Sequence, residues 1–511
     1  MSPTPTDSAF SLPRWLLLTA LGALALRLWI AYALPITGDE AFFYWWGVYP
    51  DWGYYDHPPM VGWLIWLMRT FFGEATWAIR LPIVLLPLAV GGLVWWALKP
   101  LNRERAAWAV LLIWLAPLNW LTALITTDTP LIFWSVLSAA LLLRAERRAQ
   151  LDGRAWALYA LAGLALGCAF LSKYFSVVLG LSYLVYFALY RRERWPAFAL
   201  LVLCALPGPA INIAWNMDHG WSNIMFNAIN RHENADFQWR KPLMYLGMLA
   251  YLLTPALLWL GWKHRQLLRA TASQLRLVSL LVVVPLLFFA LLSLKKVVGL
   301  HWVLSFYPFV FVLLAFALPV AALRSAARGL AWFTGLHVLF VLAISFTTLE
   351  QWAGKPGYAS FVRAFRTAEL LAQVRTPDTV LMANAYSPAA VYGYVSQQYV
   401  PVFGPGKFHA RQDDLLVDYS LYQGKTIRVL MVDAPKLDEY TPYFESVQTW
   451  TVVQSGVTFH VVEGRNFNFE AYRKGVLAEV FQRYYNIPTW LPMTGCPYCV
   501  RYCGQVSCPK P

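Results

Sequence analysis

The sequence predicts a polytopic α-helical membrane protein that carries a small α/β domain outside the bilayer. Three observations lead there. Of 511 residues, 59% are hydrophobic and 13% charged, against about 25% charged in ordinary soluble domains. Apolar stretches close to the length that crosses a hydrocarbon core recur through the first 350 residues. Beyond about residue 350 the composition becomes that of a soluble domain.

The apolar stretches fall near 15–35, 81–98, 106–124, 130–143, 155–171, 175–190, 196–215, 242–262, 277–294, 302–322 and 329–349. They predict about eleven spans, in a range of roughly 9–13 because several are short. The leading MSPTPTDSAFSLPRW has no basic region and no small-residue cleavage site, so the first run reads as a retained helix. Between the first two spans, Asp39–Tyr49 and Pro58–Phe72 are too polar or too short to cross. Rich in Trp, Tyr and Phe, they suit helices lying in the interface plane, with Pro58-Pro59 marking the turn between them.

In the tail, DTVLMANAYSPAAVYGYVSQQ, KTIRVLMVD and WTVVQSGVTFHVVEG read as strands, and VLAEVFQRYY has helical spacing. The expected division is a transmembrane domain over 1–350 and an extracytoplasmic α/β domain over 351–511.

The net charge of +14 does not point to nucleic acid, because Lys and Arg gather in short loops between apolar runs. One set of loops holds Lys99, Arg103 and Arg105; Arg144, Arg147, Arg148 and Arg154; and Arg191, Arg192 and Arg194. It continues with Lys263, Arg265, Arg269 and Arg276, then Arg324 and Arg328. By the positive-inside rule these loops are cytoplasmic. The opposite set is 36–80, 125–130, 172–174, 216–241, 295–301 and everything after about 350. It contains every polar group suited to chemistry, which places the site on the outer face.

Asp39-Glu40 stands at the outer end of the first span. Acidic residues there can simply cap a helix. Further polar residues at membrane depth come from ITTDTPL (Asp128), LSKYF (Lys173) and SLKKVVGLHWVLSFYP (Lys295, Lys296, His301). Charges beside a bilayer are costly and mark functional pathways, although any one of them alone can be a snorkelling or solvated loop residue. The long outward loop adds His219, Arg231, His232, Glu233 and Asp236. Its histidines and the first-loop carboxylates can meet around a divalent cation, zinc for imidazole with carboxylate, magnesium or manganese for carboxylate alone. No close-spaced ligand motif such as HExxH supports that.

Taken in order, D-E after the first span, YYDHPPMVGWLI, TTDTPLIFW, FLSKYF, NIAWNMDHGWSNIMFNAINRHE and KKVVGLHWVLSFYP resemble the bacterial polyprenyl-phosphate-sugar glycosyltransferases of the GT-C fold. That family includes aminoarabinose transferases acting on lipid A and is related to the protein O-mannosyltransferases. The resemblance covers about the first 350 residues. It implies a multi-pass protein of a bacterial inner membrane with its site and C-terminal domain facing the periplasm. It further implies Asp39 as general base, and Asp56 with His232 as ligands of a divalent cation (Zn, Mg or Mn). Lys173 and Lys296, helped by Arg80, would meet the donor phosphate. Glu40, Tyr55, His57, Asp128 and His301 complete the set of candidate substrate-binding residues. His57 stands where the family often has lysine, a departure that changes the charge available at neutral pH.

The chemistry is coherent without the resemblance. Glycosyl transfer from a lipid phosphate needs a base for the acceptor hydroxyl and cationic groups for the departing phosphate. No GxGxxG or P-loop pattern for a nucleotide occurs. The partners implied are membrane lipid, a polyprenyl-phosphate-linked sugar, and an envelope glycan, lipid A or protein acceptor. The rival is a transporter or lipid flippase, which predicts mid-span charges and an internal repeat; here the charges sit at span ends on one side. A scaffold that only displays the outer domain leaves those charges unexplained. In the tail, Cys496, Cys499, Cys503 and Cys508 are spaced C-x2-C-x3-C-x4-C. A zinc or iron–sulfur site is conceivable, but outside the cytoplasm paired disulfides are the better account.

Overall fold

The computed structural model describes residues 11–228, 237–406, 412–485, 487–488 and 490–503. The chain forms two compact units. The first comprises Met1–Leu34, Phe72–Ala210 and Asn234–Ile344; the second, Pro35–Phe71, Ile211–Glu233 and Ser345–Pro511. The tail domain expected from residue 351 therefore shares its unit with two segments from earlier in the chain.

Eight of the described helices are long and apolar enough to cross a bilayer. Other predicted spans are shorter, each for a local reason. The run at 106–124 is a helix over Arg103–Leu115 that stops at Ala116 (ψ 136°), the residue before Pro117. The run at 302–322 is a helix over Tyr307–Ala317 that stops at Leu318 (ψ 142°), before Pro319. A residue preceding proline is driven out of the helical region. The run at 175–190 keeps Val177–Tyr190 after a 3₁₀ turn at Tyr174–Ser176. The last span starts earlier than expected, at Val320–Ser345. A basic loop becomes the short helix Arg265–Gln274.

Prolines within or just after the helices of the first unit leave carbonyls without a helical donor, and two buried arginines take them. Pro87 cannot donate to Ile83, whose carbonyl accepts from Arg27; Arg27 also donates to Asn119 at 2.9 Å, beside the break at Pro117. Pro35 cannot donate to Ala31, whose carbonyl accepts from Arg80 at 3.0 Å, with Leu34 at 2.6 Å. The Asp128–Glu146 and Gly153–Ser172 helices form an antiparallel pair tied by Ser138 Oγ donating to the Ala162 carbonyl at 2.8 Å. At Gly163 a Cβ would overlap the Leu201 carbonyl, so the Trp195–Ala205 helix packs there on bare backbone.

The second unit holds a four-stranded sheet, β1 (Thr379–Ala383), β2 (Thr426–Met431), β3 (Ser446–Gln454) and β4 (Val457–Arg465), in the order β1-β2-β4-β3. β1 and β2 are parallel, and β4 runs antiparallel to both its neighbours. The β3–β4 turn is Ser455-Gly456, both at positive φ (47° and 75°), as the right-handed strand twist favours. Ile427, Val429 and Val462 face one core, Leu430, Phe459 and Val461 the other. One sequence expectation needs correction. The second half of DTVLMANAYSPAAVYGYVSQQ is the helix Tyr386–Ser396, because Pro388 falls in its first turn, where a missing N–H costs no hydrogen bond.

Candidate functional site

In the second unit, the aromatic helix Gly38–Val48 begins with a capping box. Glu40 Oε2 accepts from the Thr37 amide at 3.2 Å and its hydroxyl at 3.0 Å. Glu40 is fully buried, while its neighbour Asp39 is exposed. The capping reading that the sequence left open for both carboxylates thus falls to Glu40 alone. Asp39 Oδ1 accepts from the Tyr386 hydroxyl at 3.2 Å. The Tyr386–Ser396 helix lies so close that a Cβ on Gly38 would overlap the Ser387 hydroxyl. The rings of the Gly38–Val48 helix are buried in protein: Phe42 meets Tyr386 edge-on at 5.0 Å, Tyr44 meets Tyr394 at 4.8 Å, and Trp45 meets Tyr399 at 5.3 Å.

The following loop is fixed at nearly every residue. Tyr54 stacks on Trp46 at 4.4 Å and donates to the Trp46 carbonyl at 2.8 Å; burial raises its phenol well above the ordinary value. Tyr55 is buried, its amide donating to Gln412 Oε1 at 3.0 Å. A run of residues spaced by four, Trp215, His219, Asn223 and Asn227, holds this loop along its length. Trp215 Nε1 donates to Asp51 Oδ2 at 3.1 Å, and His219 Nε2 lies 3.9 Å from that oxygen while stacked on Trp215. Asn223 donates to the Tyr54 carbonyl at 2.7 Å and Asn227 to that of Asp56 at 2.8 Å. The tail clasps the same segment: Thr494 donates its amide to Met217, Gly220 to Gly495, and Trp221 Nε1 to Pro492. Cys499 and Cys503 form a disulfide, Cys496 is a buried free thiol, and Cys508 lies outside the described residues.

Asp56 and His57 are half-buried neighbours, with His57 Nε2 4.0 Å from Asp56 Oδ2. His232, the other expected metal ligand, lies outside the described residues, as do Arg231, Glu233 and Asp236. Among the described residues no group of three or more metal-ligating side chains gathers. The described part of the chain therefore offers a carboxylate and an imidazole, an incomplete ligand set.

In the first unit, Asp128, at the start of its helix, and Lys173, just past the end of the Gly153–Ser172 helix, meet. Lys173 Nζ donates to Asp128 Oδ1 at 2.8 Å and Oδ2 at 2.9 Å, with both side chains buried. Lys173 also lies 5.7 Å from the Phe175 ring, which packs on Trp302 at 4.7 Å, bringing the His301 loop alongside. His301 is exposed and Lys296 half-buried. Arg80 is fully buried on the carbonyl end of the first helix.

Two features escaped the sequence reading. Tyr386 lies far along the chain in a segment read as strand. The four-residue spacing of Trp215, His219, Asn223 and Asn227 was a usable helical signal, hidden because Gly220 and Trp221 (φ 60° and 53°) break the helix within it.

Residues 56–215 match the family model of dolichyl-phosphate-mannose-protein mannosyltransferases. No curated protein matches the chain in sequence. Among solved structures, ArnT from Cupriavidus metallidurans in the apo state superposes with a TM-score of 0.64 at 14% identity, covering 88% of this chain and 98% of its own. ArnT from the same organism bound to undecaprenyl phosphate gives 0.64 at 15%, with the same coverage. The fold is the GT-C fold, in a multi-pass membrane protein. The family model matched over residues 56–215 is one of glycosyltransferases, and the superposition shows the fold.

Proposed function

We propose that the protein transfers a sugar from a polyprenyl-phosphate donor to an acceptor hydroxyl or phosphate of an envelope glycan, lipid A or a protein. The reaction takes place at the outer face of a bacterial inner membrane. The orientation rests on the Lys/Arg asymmetry of the loops, and the lipid-linked donor on the family match and on the bound undecaprenyl phosphate of the similar ArnT. The observation that carries the reading is the unequal fate of two adjacent carboxylates. Glu40 is consumed by its cap, whereas Asp39 stays exposed on a turn held by buried aromatic rings.

With a hydroxyl acceptor, Asp39 takes its proton as the oxygen attacks the anomeric carbon. The bond from that carbon to the phosphate oxygen breaks, and polyprenyl phosphate leaves with the electron pair. A single displacement inverts the anomeric configuration. Lys296 is one group assigned to the departing phosphate; the other candidate, Lys173, donates to Asp128. Arg80 holds the carbonyls at the end of the first helix. A divalent cation at Asp56 and His232 remains part of the proposal. It would add Lewis-acid stabilisation of phosphate charge, and its loss on chelation would lower the thermal stability of the purified protein.

The test is release of free polyprenyl phosphate from a labelled lipid-linked sugar by purified protein and by Asp39→Asn. Turnover by the wild type that is lost in the variant supports the reading. Equal release by both removes Asp39, and no release with any lipid-linked sugar removes the reaction class.

A further inference from the structure

At the end of the first unit where the basic loops gather, most cations are used by the fold itself. Arg191 Nε donates to Glu146 Oε2 at 2.8 Å, and Arg194 NH1 lies 3.7 Å from Oε1. Tyr186 also donates to Oε2 at 2.9 Å, and Tyr159 to Oε1. Arg105 donates to the Ala315 carbonyl at 3.0 Å and to that of Leu318. Arg148 pairs with Asp152, which caps the Gly153–Ser172 helix through the Ala155 amide at 2.8 Å.

Two arginines are different. Arg144 lies over the Trp96 ring at 5.0 Å, and Arg147 donates to the Pro100 carbonyl at 2.9 Å. Among the described residues neither has a carboxylate partner. With Arg148 and its partner Asp152, Gln150 and Leu158 they line an open groove of about 520 Å³, in which three guanidinium groups face one carboxylate. Partial burial and the like charge of Arg144 hold the Arg147 guanidinium below its ordinary value. Two guanidinium groups in one groove repel each other, and an anion between them relieves both.

The groove's chemistry and depth identify the anion. It lies at the ends of the Thr76–Leu98, Asp128–Glu146 and Gly153–Ser172 helices, all long and apolar enough to span, hence at headgroup level. Planar N–H forks match phosphate oxygens. Basic pockets between spans suit anionic headgroups, and Leu158 gives the groove an apolar wall. We propose that this groove binds the phosphodiester headgroup of an anionic membrane phospholipid. Inorganic phosphate shares the charge chemistry but has no acyl chains to lie along the spans.

The test uses the full chain in a zwitterionic detergent, reading retained lipid by native mass spectrometry and the unfolding midpoint by thermal shift. Added phosphatidylglycerol should be retained and raise the midpoint, whereas phosphatidylcholine and inorganic phosphate should do neither. Arg144→Gln and Arg147→Gln should each weaken retention by about fivefold, on the order of 1 kcal/mol per surface cation. Arg269→Gln removes the same charge from the exposed Arg265–Gln274 helix and should leave retention unchanged. Equal retention of phosphatidylcholine, equal stabilisation by inorganic phosphate, or an equal loss in Arg269→Gln would each overturn the proposal. Should a glutamine variant fail to fold, the lysine variants keep the charge and lose only the fork; undiminished retention in both would also overturn it.

Discussion

The Thr37–Glu40 turn and the Asp128–Lys173 pair carry the same signal in the sequence, charge beside an apolar span, yet their charges have opposite fates. At Asp128–Lys173 a carboxylate and an ammonium neutralise each other, both buried, at 2.8 and 2.9 Å. At the turn, one carboxylate closes a capping box and the next faces solvent, accepting from a tyrosine hydroxyl at 3.2 Å. Charge at membrane depth is therefore not itself a sign of chemistry. What distinguishes a reactive carboxylate from a structural one is whether a partner within the fold already consumes its charge.

The largest expected effect lies on the exposed side of this comparison. Asp39→Asn keeps the size and much of the hydrogen bonding but cannot accept a proton, so turnover should fall by about 10²–10⁴-fold. The thermal midpoint should be unchanged, because Asp39 closes no cap and buries no charge. A loss below about threefold would place the base elsewhere.

The buried side should respond in stability. Asp128→Asn leaves the Lys173 ammonium buried without its counter-charge, and Lys173→Gln does the reverse; breaking a buried pair in this way costs about 3–5 kcal/mol. The double variant should recover part of that loss, measured by denaturant or thermal unfolding. If Lys173→Gln instead raises the donor KM while stability holds, Lys173 belongs to the substrate and the contrast between the two regions collapses.

The helical membrane part and the C-terminal α/β domain were legible because both rest on composition and periodicity, which a single sequence carries. Breaks at Pro117 and Pro319 were also written locally, since the residue before proline leaves the helix. What could not be read were partners distant in the chain. Nothing near Asp128 announces Lys173, and nothing near Arg27 announces that Pro87 has left the Ile83 carbonyl open to it. The division of labour between Asp39 and Glu40 was half legible. Thr37 and Glu40 have capping-box spacing, but the contact that reserves Asp39 comes from Tyr386, in a segment whose helix was mistaken for strand.

Tyr386→Phe sharpens the comparison from the side of that contact. A hydrogen bond to a charged group is worth about 1.5–3 kcal/mol when well formed, and this one is long and solvent-facing. The expected loss in kcat is about three- to tenfold with the donor KM unchanged, since the hydroxyl orients the base without binding the lipid phosphate. A change confined to KM would move Tyr386 into substrate recognition.

The smallest effect is the one that separates the two neighbours most cleanly. Glutamine at the third position of a helix satisfies a capping box as glutamate does, so Glu40→Gln should keep both bonds to Thr37 and leave turnover and stability near wild type. Glu40→Ala loses the reciprocal bonds and should cost about 1 kcal/mol, the ordinary worth of a helix cap. Any fall in rate should follow from destabilisation and recover at lower temperature. The two carboxylates thus make opposite demands on an amide: Asp39 fails with it and Glu40 does not. If Glu40→Gln abolishes turnover in a stably folded protein while Asp39→Asn is active, the buried carboxylate is the proton acceptor, and its bonds to Thr37 position a base where we read a cap.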